Sequence, residues 1–511
     1  MSHPVPPFET TAPSPRRWLL LAVVSAGLLL ITLDNSILYT ALPTLTRELD
    51  ASATESLWII NAYPLVMAGL LLGSGTLGDR IGHRRMFLIG LVVFGLASAA
   101  AAFAPTAAAL IAARALLAVG AAAMMPSTLA LIRVTFHDER ERNIAIAVWG
   151  SVSVLGIALG PIVSGLLLEF FWWGSVFLVN VPVVLAAVIA TLLVTPASTA
   201  DRSKRWDAVS SAQAMIALTA AVVLIKELAH TPPNGIVVAI SASAAVFGFW
   251  LFARRQRRLT EPLLEFSIFR NPAFASGVLA AVVAMFALAG VQLITTQRFQ
   301  LIEGLSPLHS GLLVAIVALG SLPSGLIGGA ILHRAGLRMI ISGGFAVALV
   351  GTIATLFGVL GPMWLLLVGL AVMGAGFGAT MSVASTAIVG NVARRRAGMA
   401  SAVEEVSYEF GSLVAVALLG SLVSLVYSTS IQLPDGAPPV AAESLLDAVS
   451  VGAGDPALLA AAATAFDAGS TSALAIIALV VAAATVTTAR LLRRHGPGTS
   501  ASQSSEPDTG R

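Results

Sequence analysis

Asp34, Arg114, Glu404, Glu405 and Glu409 are ionisable residues set inside long apolar runs. A charge stranded in hydrocarbon is costly, so it points to function unless a partner explains it. Asp34 stands in Leu33-Asp34-Asn35-Ser36-Ile37-Leu38-Tyr39-Thr40-Ala41-Leu42-Pro43. A lone carboxylate there must pair, face water or hold a proton, and a group poised among those states can exchange protons during a transport cycle. The competing reading is a packing Asp bonded to a neighbour's backbone. Arg114, in Ala113-Arg114-Ala115-Leu116-Leu117-Ala118-Val119-Gly120, is the one Lys or Arg deep in an apolar run within residues 18–195. A guanidinium cannot shed its charge, so it needs an acid or carbonyls. Asp34 is an attractive partner; a purely structural Arg is the alternative.

The densest buried charge is Ser401-Ala402-Val403-Glu404-Glu405-Val406-Ser407-Tyr408-Glu409-Phe410-Gly411. On a helix, Glu405 and Glu409 share one face, and Glu404 and Tyr408 another. Two carboxylates so close cannot both ionise cheaply, so the pair can hold a proton that an organic cation displaces. Glu404, nearest the arginine-rich segment, is expected at the membrane interface. Tyr39, Tyr63, Trp149, Met285, Phe286, Met381 and Tyr408 could stack on a planar cation, although each alone reads more simply as packing. Gln292 and Gln297 are better pore-lining candidates, because an amide facing lipid is costly.

These residues need a membrane-spanning scaffold to hold them, and the composition supplies one. Of 511 residues, 57% are hydrophobic and 11% charged, with mean hydropathy +0.90. Soluble domains carry roughly 25% charge, so this is an all-α polytopic membrane protein. Apolar runs predict fourteen spans, with a first six-helix bundle over 18–195, an inserted helix pair over 196–271 and a second six-helix bundle over 272–491. Residues 1–17 and 492–511 are expected as tails, and the first apolar run carries no cleavable-signal pattern. All but four of the 29 Lys and Arg fall on one side when the N-terminus is placed inside. The exceptions are Arg47, Arg114, Lys226 and Arg298. The positive-inside rule then puts both ends in the cytoplasm. The segment 428–469 is a long outer loop without Lys or Arg, in which 440–450 and 456–467 are expected as short amphipathic helices.

Between two apolar runs lies Gly75-Thr76-Leu77-Gly78-Asp79-Arg80-Ile81-Gly82-His83-Arg84-Arg85, a charged hairpin whose glycines permit a sharp turn and close helix approach. A decayed copy, His333-Arg334-Ala335-Gly336-Leu337-Arg338, recurs 254 residues on, with Gly336 for Gly82. Such repeats are expected where two halves rock about a central site. In Gly156-Ile157-Ala158-Leu159-Gly160-Pro161-Ile162-Val163-Ser164-Gly165, the glycines line a helix face and Pro161 frees a carbonyl.

The hairpin resembles the loop between helices two and three of the major facilitator superfamily. The Asp34, Gly156–Gly165 and Glu405/Glu409 stretches resemble those of its fourteen-span drug:proton antiporter family, the QacA-like multidrug exporters. The resemblance implies two bundles that alternate access. It also implies a gate latch at Asp79 and Arg80, proton coupling through Asp34 and Arg114, cationic-drug recognition by Glu405 and Glu409, and export rather than uptake. Trp172-Trp173, Phe177, Asn180 and Pro182 resemble a further family stretch, with Trp172 where Arg is usual. Asn61 stands where those exporters commonly carry Asp, and His83 where Arg is common. Fewer acids suggest a narrower range, weaker for divalent cations.

The reading is a proton-coupled efflux antiporter for lipophilic cations such as quaternary ammonium compounds and ethidium, located in the bacterial inner membrane. The alternative is an exporter of an endogenous antibiotic, lipid or peptide. No cysteine is present, which excludes disulfides and thiolate chemistry. There is no Walker A sequence and no G-x-S-x-G or H-E-x-x-H motif. The expected protein is therefore a monomer without cofactor, metal, nucleic-acid partner or enzymatic activity, driven by the proton gradient.

Overall fold

The computed structural model describes residues 15–136, 138–195, 207–229, 233–259, 262–392, 397–452 and 455–495. Every regular element among them is helical: α1 (Pro15–Glu48), α2 (Ala53–Ile81), α3 (His83–Ala102), α4 (Ala107–Thr135), α5 (Glu139–Phe170), α6 (Ser175–Leu178), α7 (Asn180–Val194), α8 (Ala208–Leu228), α9 (Gly235–Gln256), α10 (Pro272–Leu301), α11 (Pro307–Gly358), α12 (Met363–Val389), α13 (Ala397–Ser430), α14 (Leu445–Val451) and α15 (Pro456–Leu491). In a hydrocarbon slab a helix closes all its own backbone hydrogen bonds, and about 20 residues span the roughly 30 Å core. Among the described residues, eleven helices are long and apolar enough to cross, or twelve if the bent α2 is one span. The sequence reading gives fourteen. One source of the difference is α11, whose 52 residues are two helices joined at Gly336, where φ is 76°.

Gly82, between α2 and α3, has φ 94°. Only glycine adopts such a backbone without strain. The internal repeat is thus a repeat of conformation: the two glycines 254 residues apart, each with positive φ, join α2 to α3 and the two halves of α11. Of the Lys and Arg residues that decide orientation by sequence, Arg202, Lys204, Arg205 and Arg394 to Arg396 lie outside the described residues. So do the tails, except 15–17, which open α1 rather than precede it, and 492–495.

In the first half of the chain α1 packs on α5 and α7, and α4 packs on α2 and α3. In the second, α10 packs on α12 and α13, and α11 on α12 and α15. Two seams join these sets. At one, α5 meets α11 so closely that a Cβ on Gly165 would sit 2.4 Å from Leu308 Cα, and one on Gly311 would sit 2.1 Å from the Pro161 carbonyl. At the other, α2 meets α13. The α8–α9 pair lies against that second seam, where Leu218 and Val222 of α8 pack with Leu65 and Ala68 of α2 and Leu413 and Ala417 of α13.

The segment 428–469 is shorter as a loop than its composition predicts. Helix α13 runs on to Ser430 and α15 begins at Pro456, so 456–467 is the first part of a 36-residue helix, not a separate amphipathic one. Asp455 caps it, accepting from the Ala457 and Leu458 amides. The reason lies in tertiary contact. Arg298 of α10 holds Asp467 at 2.8 Å and Glu303 at 2.9 Å, which pins the extension against α10. A short 3-10 turn (Pro439–Ala442) and α14 bridge the gap, and the Tyr427 hydroxyl donates to the Ala441 carbonyl at 2.8 Å.

Candidate functional site: a buried ion knot and an acidic helix face

The knot begins with Arg114, fully buried on α4. Its guanidinium pairs through Nη1 with Asp34 of α1, itself 1% exposed. Its Nε reaches the Ile59 carbonyl of α2 at 3.4 Å, and its plane lies 4.6 Å from the centre of the Tyr63 ring. The other Asp34 oxygen accepts from the Asn180 amide of α7 at 2.8 Å, which also reaches Ser98 of α3 at 3.3 Å. Five helices therefore meet on one ion pair. A buried pair with extra hydrogen bonds is tolerated; either partner alone would be an uncompensated charge. The partnership expected between Asp34 and Arg114 is present.

Asn180 is the residue that sequence reasoning undervalued. It carried only a motif resemblance, yet it is fully buried and is Asp34's second ligand. An amide opening an otherwise apolar helix was the available signal. Asn61, also fully buried, has neither side-chain polar atom bonded within the structure, and the Tyr63 hydroxyl is likewise unpartnered.

On α13, Glu404 is 8% exposed and accepts from the Tyr408 hydroxyl at 3.2 Å. This corrects the interfacial placement: α13 packs against α12, and Ser385 of α12 also reaches the carboxylate, so the chain covers what the sequence left near the surface. Glu405 and Glu409 are half-buried on the neighbouring face, within electrostatic reach of each other. None of the three makes an ion pair with a described residue. Glu409 also lies within electrostatic reach of Arg114, Tyr39 and Tyr63. It is the one of the three α13 acids that senses the knot of the first half.

The other candidates divide. Gln292 donates to the Ser36 carbonyl at 3.4 Å across the α1–α10 contact. Gln297 lines a cavity at the far end of the same helix. Trp149 donates to Thr128 at 3.0 Å and belongs to the packing of α4 on α5. Gly156 sits on Thr32 and Gly160 on Ser36 and Ile37, so this face of α5 carries α1, with Asp34 between the two contacts. In the hairpin, Gly75 faces Pro126, and Gly78 leaves room for the His83 ring, whose Nδ1 would lie 2.8 Å from a Cβ there. The partner of Asp79 is His83, at 2.9 Å, whereas Arg80 is exposed. Asp79 of the expected gate latch is thus paired with the residue that departs from the family pattern. Arg84 donates to the Leu192 carbonyl at 3.0 Å, tying α3 to the end of α7.

The four cations outside the one-sided pattern are each accommodated. Arg114 and Arg298 are in ion pairs, and Arg47 lies 3.7 Å from Glu48. Lys226, 7% exposed, donates to the Thr54 carbonyl at 3.1 Å above the Trp58 ring.

Long apolar helices in two sets, meeting along glycine-lined seams around buried charge, define a multi-pass membrane transporter, not an enzyme. The chain belongs to the Major Facilitator Superfamily, whose sequence profile matches residues 24–416. It is 38% identical, over 95% of its own length and 98% of the relative's, to the multidrug efflux pump LfrA of Mycolicibacterium smegmatis. It is 37% identical to the methyl viologen resistance protein SmvA of Salmonella typhimurium over 82% of this chain and 85% of that one. To the tetracenomycin C resistance and export protein of Streptomyces glaucescens it is 32% identical over 80% and 76%. A crystal structure of a bacterial homologue of the human lysosomal transporter Spinster, inward-facing and unoccupied, superimposes with TM-score 0.63 over 96% of this chain and 100% of that one. At 15% identity that likeness concerns the fold alone. Two of these relatives are named for drug efflux or export and the third for resistance to methyl viologen.

Proposed function

We propose that this protein is a proton-coupled antiporter that exports lipophilic cations by alternating access. Helices α1–α7 and α10–α15 form the two rocking bundles, α8–α9 are an inserted pair, and fourteen spans place both termini in the cytoplasm of a bacterial inner membrane. The observation that carries the reading is the position of Glu409: an acid of the second half, without a cation of its own, within electrostatic reach of the Asp34–Arg114 pair of the first. Glu405 and Glu409 repel when both are ionised, so the site favours either a proton or a positively charged guest. Each such swap changes the charge near Arg114 and so biases the rocking of one half on the other. The Tyr39, Tyr63 and Tyr408 rings supply apolar and cation–π surface for a planar guest.

The test is ethidium efflux from proteoliposomes under an imposed pH gradient. Transport driven by the gradient, abolished by an uncoupler and lost in Asp34→Asn and Glu405→Gln, supports the reading. Ethidium movement indifferent to the gradient overturns it. A second reading, export of an antibiotic by its producer, draws on the tetracenomycin C relative. A resistance panel of cations and antibiotics separates the two.

A further inference from the structure

A cavity lies at the Tyr427 end of the molecule, the end the charge pattern assigns to the outside. Its walls come from both halves: Leu57 of α2, Leu293 and Gln297 of α10, Ser424 and Tyr427 of α13, with Leu445 of α14 among the residues closing it. The lining is mostly apolar. Ser444, Leu445 and Leu446 close it, within a stretch, 431–452, that contains Asp435, Glu443 and Asp447 and no Lys or Arg. No acid is itself part of the lining, but Asp447 follows directly on the lining residue Leu446. It accepts from Ser444, a lining residue, at 2.5 Å and lies within electrostatic reach of Tyr427. The nearby cation, Arg298, is already matched by Asp467 and Glu303.

We propose that this cavity is an outer binding site for a lipophilic monocation, distinct from the Glu405/Glu409 face and occupied by the guest as it leaves. Apolar walls take the organic body, and Asp447, behind Ser444, favours the charge without an ion pair of its own to break. Because α2 of the first half and α13 of the second both line it, rocking of the halves changes its width, so the site weakens as the outer side opens. The inference rests on the cation-export reading, but it concerns binding and needs no gradient.

The chain has no cysteine, so Ser424→Cys introduces a single thiol inside the cavity. Its alkylation by N-ethylmaleimide is followed in the full-length protein in proteoliposomes, with rising tetraphenylphosphonium. The expected result is saturable protection that persists when Glu405→Gln and Glu409→Gln are added. Asp447→Asn, which keeps the side-chain shape, should raise the half-protecting concentration about fivefold, the worth of one nearby partly screened charge. Four results would overturn the site: a thiol that never reacts, no protection, protection lost with the central carboxylates, or equal protection by a neutral triphenylmethane. Protection that persists in a protein showing no gradient-driven efflux refutes the proton-coupling reading and leaves the outer site standing.

Discussion

Asp34 on α1 and the Glu404–Glu409 stretch of α13 both place carboxylates deep in an apolar chain, yet their surroundings are opposite. Asp34 is gripped by Arg114 and Asn180, with every neighbour fixed by a different helix. The α13 acids have a tyrosine, a serine and one another, and no cation in direct contact. The first arrangement is balanced without a guest. The second becomes balanced only by binding a proton or a cation. On the mechanism proposed above, the first region is the anchor and the second is where proton and guest exchange.

The sharpest way to break that contrast is to remove Arg114. Arg114→Ala leaves Asp34 buried and unpaired, which should cost about 3–5 kcal/mol of stability and abolish efflux. Adding Asp34→Asn should restore folding, read as thermal stability in detergent, without restoring gradient-driven transport. If Arg114→Ala were as stable as the parent, the knot would not be the anchor described here. Glu409→Gln should behave in the opposite way. Neutralising an acid that has no cation partner should leave thermal stability unchanged or raised, while ethidium efflux falls roughly tenfold, the worth of one charge-assisted contact. A loss of both together would erase the distinction between the regions.

The seams offer an intermediate effect. Gly311→Leu drives a side chain into the Pro161 carbonyl and should cost about 1–3 kcal/mol, with efflux reduced because α5 and α11 no longer close. Asn61→Asp adds an acid beside Tyr63, in the helix that braces Arg114. It should improve export of a divalent cation such as dequalinium over a monovalent one, measured as a ratio of resistance levels. No change in that ratio would remove Asn61 from the recognition surface.

The smallest effect belongs to Asp207, outside the spans at the start of α8. Desolvation pushes its carboxyl up, but hydrogen bonds from Arg255 and Ser210 outweigh that and hold it below the usual carboxylate value. A depressed value in the folded state means stability that is present above the ordinary carboxylate range and lost as pH falls through it. Asp207→Asn should therefore lower thermal stability slightly at neutral pH. The difference from the parent should vanish in acid.

Much of the fold was legible because its causes are local. Apolar length makes spans, and a glycine before a basic cluster makes a sharp turn. Gly82 and Gly336 could thus be matched before any coordinates, and both have the positive φ that the repeat implied. The Asp34–Arg114 pair was legible for a related reason: two opposite charges, each intolerable alone in hydrocarbon, invite each other. The loop 428–469 was misjudged because its helical half, 456–467, is held by Asp467 on Arg298, a contact between residues 169 apart that no local pattern records. Glu404 was misjudged for the same reason, since its burial is supplied by α12 and α13 together.

The amino-acid order alone settled that this chain lives in a bilayer, that it repeats itself, and that it strands charge where charge is costly. Those are properties of composition and spacing, and they follow from the solvent. Which atoms compensate that charge was decided only in three dimensions. Asn180 on Asp34 and His83 on Asp79 each join helices whose relative rotation depends on packing along their whole length, and neighbouring residues in sequence carry no record of it.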